Sequence, residues 1–198
     1  MDQKGISERA RIVVDTILLD EETAESLRKL RQLSEETYEH VLNVAYMTAE
    51  ILIDRCCREY ELYEVVKGAL LHDIGKLKVP KEILEKRTCL TDEEMFLMKG
   101  HPLYGLGYVY EVFNDEVSDI VKDIVVFHHE KRDGTGYPTG INICPWYVEL
   151  VNTVDAYDAM TAKRAYGKVR SAEEALEVLK LDHFSKTYIE DISKLEDK

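Results

Sequence analysis

The sequence predicts an all-α domain, and three observations carry that expectation. Apolar residues recur mostly at three- and four-residue spacing, only four prolines interrupt them, and two Thr/Ser-x-x-Glu capping boxes mark helix starts within the chain. No repeat, low-complexity segment or Pro/Gly/Ser-rich linker divides the 198 residues. That length suits one domain of about 150 residues with an extension.

Taken in order, the first helical pattern covers 7–33 with a break near Asp20, although "RIVVDTILL" (11–19) is β-branched enough to form a strand instead. A second helix over 35–58 opens on the acidic "SEETYE", where carboxylates favour the positive end of the helix dipole. A third, 61–74, ends in "LLHDIGK", where Gly75 and Lys76 stop it. Thr91 and Glu94 cap a helix over 91–100, followed by helices over 102–113, 115–130 and 145–160. Ser171 and Glu174 cap 171–180, and a last helix covers 185–195. The stretches 76–90 and 131–145 read as loops with Pro or Gly clusters, each following a histidine-bearing helix end. Residues 1–34 read as a helical lead-in or linker and 35–198 as the main domain.

Hydrophobic residues make up 45% and charged residues 33%, a balance that folds rather than staying disordered. The net charge of −13 repels nucleic acid and anionic membrane, but not a small anionic ligand whose local field is set by bound metal ions. Cys56, Cys57, Cys89 and Cys144 have no zinc-type spacing and read as free thiols of a reducing compartment. No apolar run approaches the ~20 residues of a membrane span, and the first residues lack a signal-peptide shape. The expectation is a cytoplasmic protein.

The histidines are 40, 72, 101, 128, 129 and 183. His183, in "KLDHFSK", reads as an ordinary core or surface residue. The series His40, His72, His101, His128 and Asp155 is spaced at intervals of 27 to 32 residues. Each interval is about one helix and one turn, which in an antiparallel bundle returns successive positions to the same end. His72 and Asp73 follow an apolar run, where burial without a partner costs several kcal/mol, and metal coordination answers that cost. Neighbours on a helix point about 100° apart, so one dyad can serve two ions, with Asp73 bridging them.

The blocks "HDIGK" (72–76), "GHP" (100–102), "HHEKRDGTGYP" (128–138) and "VDAYDAMTAKRAYGK" (154–168) resemble the signature blocks of the HD-GYP family. That family is the branch of the HD metal-dependent phosphohydrolase superfamily that hydrolyses bacterial cyclic dinucleotides. The resemblance covers roughly residues 35–170 in the family's order. It implies an HD-domain-like helical bundle with a metal cluster in its core. It implies metal ligation by His40, His72, Asp73, His101, His128, His129 and Asp155, with Asp73 bridging, and a third-metal role for Glu36. Glu36 also fits as a plain acidic residue at a helix start. Two or three divalent ions are implied, iron first and manganese next, with zinc and nickel compatible with a donor set lacking thiolate.

By the same resemblance Asp73 and Lys76 are the catalytic pair, and substrate contacts fall on Lys76, Gly136, Tyr137, Pro138, Arg164 and Lys168. Three departures from the pattern bear on substrate fit. "RAYGK" has Ala165 for proline and Gly167 for a second base, with Lys168 next to it; the loop between Pro138 and Pro145 is short; and Glu149 stands where arginine is usual. The implied activity is hydrolysis of cyclic di-GMP to pGpG, GMP or both by a hydroxide bridging two metals. Two alternatives stand beside it: another cyclic dinucleotide such as cyclic GMP-AMP, or a low-turnover sensing and docking module. Partners implied are the cyclic dinucleotide and other cyclic di-GMP signalling proteins, with neither nucleic acid nor membrane. The oligomeric state stays open, a homodimer among the options.

Overall fold

The computed structural model describes residues 7–162, 169–182 and 184–197, and every regular element among them is helical. Helix α1 (Glu8–Ile17) starts at Ser7, whose hydroxyl accepts from the Ala10 amide. It buries Ala10, Val13, Val14 and Ile17. That three- and four-residue stripe turns the β-branched run 11–19 into a helix and a turn rather than a strand, because packing outweighs local propensity. The break near Asp20 is real. Its carboxylate accepts from Lys67 at 2.8 Å, and α2 (Glu21–Leu33) begins there.

Ser34 caps α3 (Glu35–Asp54), which ends earlier than expected where Cys56 takes a φ of 52°. Helix α4 (Glu59–Leu71) stops before His72, and a 3₁₀ turn (Ile74–Lys78) follows. The short α5 (Lys81–Leu84) lies within the stretch expected as loop. Both capping boxes form, opening α6 (Asp92–Met98) and α10 (Ala172–Leu181). Between them come α7 (His101–Phe113), a 3₁₀ turn (Asn114–Glu116), α8 (Asp119–Phe127) and α9 (Trp146–Thr161). Helix α8 is shorter at both ends than the expected 115–130: Ser118 caps its start, and it closes before the paired histidines. The chain finishes in α11 (Lys186–Glu196).

Helices α3 and α4 form the centre. The former packs on α9, α1 and α2, the latter on α8, and α7 lies across α8 and the first 3₁₀ turn. Apolar residues of α1, α2 and α11 join the same core as those of α3, α4, α8 and α9. No described helix is long and apolar enough to cross a membrane.

One contact sets how closely the HDIGK turn meets α7. A Cβ placed on Gly75 would stand 1.9 Å from the His101 carbonyl oxygen and 2.4 Å from the Gly105 amide nitrogen. Gly75 is therefore required by backbone against backbone, which nothing flexible can relieve. Its absent side chain lets His72 and Asp73 lie beside His101. Gly107, on the exposed side of α7, meets nothing within 4 Å. Gly75→Ala is expected to cost about 3 kcal/mol through overpacking. Gly107→Ala is expected to gain up to ~1 kcal/mol through helix propensity. Urea unfolding midpoints of the two variants check both signs.

Candidate metal centre

The centre is built from helix ends. His72 is the C-cap of α4, His101 the first residue of α7, and His128 the C-cap of α8. A helix C-terminus leaves backbone carbonyls without intrahelical partners, and each of these rings uses such a carbonyl nearby, His101 taking that of Met98 at the end of α6. The Nδ1 of His72 lies 2.7 Å from the Ala69 carbonyl, that of His101 2.8 Å from Met98, and that of His128 3.1 Å from both Ile124 and Val125. A carbonyl oxygen only accepts, so Nδ1 carries the proton in all three and donates it. Nε2 is left as a bare lone pair.

Those lone pairs face one another. His101 Nε2 is 3.1 Å from His128 Nε2 and 3.3 Å from Asp73 Oδ1, yet neither partner has a proton to give. Both His72 Nε2 and Asp73 Oδ1 are buried without a hydrogen-bond partner. Two donor groups result, Asp73 with His101, His128 and His129, and Asp73 with His40 and His72, each with its ligand atoms within 4.8 Å of one another. Asp73 belongs to both. Buried acceptors pointed at acceptors are costly alone and are resolved by a cation, so these residues fit a divalent metal.

His40 differs in coming from within α3. Its Nδ1 lies 2.6 Å from Asp158 Oδ2 and its Nε2 2.9 Å from Asp155 Oδ1. Asp155 Oδ2 is 3.9 Å from His129 Nδ1, and the His129 ring stacks on Tyr137 with centroids 4.7 Å apart. Lys76 Nζ donates to Asp73 Oδ2 at 2.5 Å.

Electrostatics follow from burial and these contacts. Burial alone would raise the Asp73 carboxyl, but Lys76 and the surrounding imidazoles hold it well below the ordinary carboxylate range. Asp155 is likewise held low against burial, by His40 first. Burial pushes His101 down to about 3 and His129 to about 4, and holds His128 well below its ordinary value. Burial opposes charge on His40 too, but its bonds to Asp155 and Asp158 prevail and raise it to about 9. Burial pushes the Tyr137 hydroxyl up, so it stays a protonated donor.

The Gly-Tyr-Pro loop is fastened to the paired histidines from behind. The Tyr137 amide donates to the His129 carbonyl at 3.2 Å. Gly136 passes so close that a Cβ there would lie 2.4 Å from the Lys131 amide nitrogen. Buried Glu130 accepts at Oε1 from the Thr139 amide and hydroxyl and from the Gly140 amide, at 2.6 to 3.0 Å. Glu149, noted for standing in an arginine's place, accepts from Arg132 at 2.7 and 2.5 Å. A cleft of about 410 Å³ opens beside the loop, lined by His40, His129, Asp155 and Tyr137 together with Lys76, Lys99 and Lys131.

Of the residues singled out in the sequence, His40, His72, Asp73, His101, His128, His129 and Asp155 come together, with Lys76, Gly136 and Tyr137 at their rim. Pro138 follows Tyr137 through a cis peptide bond. Glu36 is exposed one turn before His40, outside both donor groups. Arg164 and Lys168 lie outside the described residues. Sequence reasoning missed Asp158, Lys99 and Lys131. Asp158 carried a signal, since three residues after Asp155 is the same face of one helix. The two lysines carried none, since lysines beside loops ordinarily mark solvated surface.

A model of the HD domain family matches residues 28–188. A cyclic di-GMP phosphodiesterase of Thermotoga maritima is 34% identical over 87% of this chain and 49% of its own length. One of Pseudomonas aeruginosa is 35% identical over 76% of this chain and 36% of its own. A 3'3'-cGAMP-specific phosphodiesterase of Vibrio cholerae is 32% identical over 79% and 31%. The chain thus spans about half, or less, of the length of these curated relatives. Among solved structures, the HDG"Y"P protein Bd1817 of Bdellovibrio bacteriovorus superimposes with a TM-score of 0.66 at 23% identity, over 80% of this chain and 52% of that one.

The opposed shifts at the centre predict a pH profile. His40 gains its partners in the fold, so it contributes stability that is full below 6.5 and lost as pH rises through about 9. His101 is kept neutral down to about 3, so it costs stability once pH falls below 6.5. The metal-free protein should therefore melt highest near pH 6.5, with Tm falling by several degrees toward both pH 5 and pH 9. A divalent ion held at His40 Nε2 would replace the proton there and should flatten the alkaline side. Melts across that range, with and without chelator, check the profile.

Proposed function

We infer that this chain, which belongs to the HD domain family, is a metal-dependent phosphodiesterase that hydrolyses cyclic di-GMP. The observation that carries this is one juxtaposition: buried imidazole and carboxylate lone pairs aimed at each other, opening into a cleft lined by three lysines. Such a cleft in a chain of net charge −13 suits a small polyanion. The relatives named as cyclic dinucleotide phosphodiesterases support the same substrate class.

Asp73, His101, His128 and His129 would hold one ion, and His40, His72 and Asp73 a second, with Asp155 adjoining both groups. Imidazole and carboxylate donors suit iron or manganese. Bound there, such ions polarise a phosphoryl oxygen and lower the pKa of a water to near neutrality. The chain's own groups do the rest. Lys76, beside Asp73, places a positive charge where the phosphodiester develops negative charge, and its ammonium can give a proton to the departing 3′ oxygen. Lys99, whose ammonium lies over the Tyr137 ring, and Lys131, which pairs with Asp182, line the cleft wall and would be drawn to the second phosphate, and Tyr137 offers a hydroxyl donor. Arg164 and Lys168, in the segment after α9, complete the substrate contacts in this reading, and Glu36 would serve a third ion. The products are pGpG and, after a second cleavage, GMP.

A second reading keeps the chemistry and changes the substrate to cyclic GMP-AMP. The cGAMP-specific relative favours it.

Protein purified without oxygen and assayed for metal should convert cyclic di-GMP to pGpG, followed by chromatography. Asp73→Ala should hold less metal and lose at least ~10³-fold in kcat/KM, as expected when electrostatic stabilisation of the transition state goes. Metal-replete protein that cleaves no cyclic dinucleotide would overturn the reading, and a higher kcat/KM for cyclic GMP-AMP would favour the second. The Lys99→Ala and Lys131→Ala variants should each raise KM about fivefold to tenfold, near 1 kcal/mol of binding, with a smaller change in kcat.

A further inference from the structure

We propose that Asp158 is the positioning residue that makes His40 a metal ligand, fixing its ring so that Nε2 faces Asp155 and Asp73. The proposal rests on the metal-centre reading above and adds a role to a residue outside the donor groups. The four histidines of the buried cluster do not solve the tautomer problem in the same way. His72, His101 and His128 sit at helix termini and lock Nδ1–H on backbone carbonyls within reach. His40 sits inside the 20-residue α3, where carbonyls are already committed to the helix ladder. No backbone group holds its Nδ1.

Asp158 holds it instead. Its Oδ2 lies 2.6 Å from Nδ1, and both residues are buried, with Asp158 only 1% exposed. On the other side of the ring, Nε2 is 2.9 Å from Asp155 Oδ1 and 3.9 Å from Asp73 Oδ2. Asp155 and Asp158 are one turn apart on α9, so a single helix presents a carboxylate to each nitrogen of one imidazole. A proton kept on Nδ1 by a carboxylate leaves Nε2 as the metal-facing lone pair and raises its basicity. Outer partners of this kind are worth 10- to 100-fold in metal affinity.

The test uses the full, metal-stripped chain and Mn²⁺ as probe, titrated calorimetrically. Asp158→Ala should weaken Mn²⁺ binding 10- to 100-fold. Asp158→Asn, whose amide oxygen still accepts from Nδ1 but carries no charge, should weaken it less. Long-range ¹H–¹⁵N spectra of zinc-loaded protein should show the Nδ1-protonated tautomer at His40 in wild type and Asp158→Asn, and lose that signature in Asp158→Ala. A purely structural role would not move the tautomer. Should the alanine variant fail to fold, the asparagine variant and the wild-type spectrum decide. Mn²⁺ affinity within twofold of wild type in a folded variant, or a zinc-loaded wild type whose His40 is protonated at Nε2, overturns the proposal. Wild-type protein that binds no Mn²⁺ at all removes instead the metal-centre reading on which it rests.

Discussion

Lone pairs without protons, buried together at the floor of a cleft, are the constraint on which the rest of this molecule depends. His101 and His128 turn their Nε2 atoms toward each other at 3.1 Å while each spends its one proton on the backbone behind it. A domain core does not assemble such an arrangement through apolar packing, since every member would be better off in water. It persists because α3, α4, α7, α8 and α9 are held by a core that extends well beyond the site. The polar centre is tolerated because the apolar shell is large.

The helical termini turn that tolerance into geometry. A terminal carbonyl fixes which nitrogen of a histidine is protonated, and the helix axis then fixes where the other nitrogen points. Three imidazoles are aimed this way by nothing more than their position at a terminus, and the fourth is aimed by a carboxylate. The Gly-Tyr-Pro loop is subordinate to the same frame. Glu130 ties Thr139 and Gly140 down, and Tyr137 stacks on His129, so the cleft wall and the donor groups share one support.

Most of this frame was legible in the sequence, and the omissions have a common cause. Histidine and aspartate at intervals of a helix and a turn are visible because burying them demands a reason, and the capping boxes at Thr91 and Ser171 are visible because their chemistry is local. What escaped depends on distant contacts. Gly75 reads as a helix stop, but its requirement comes from the carbonyl of His101. The run 11–19 reads as β-branched until the core claims one of its faces. Lysines become informative only when several face one cavity.

The centre also joins parts of the chain that are far apart in time as well as in sequence. His40 meets Asp155 across 115 residues and Asp158 across 118, so an ion bound there would find its full donor set only after the segment from His40 to Asp158 has been made and folded. Once bound, the ion acts as a clasp across a long loop, where each doubling of loop length adds only about 0.6 kcal/mol to the entropic cost of closure. A donor set spread so widely makes metallation a report on the completeness of the fold.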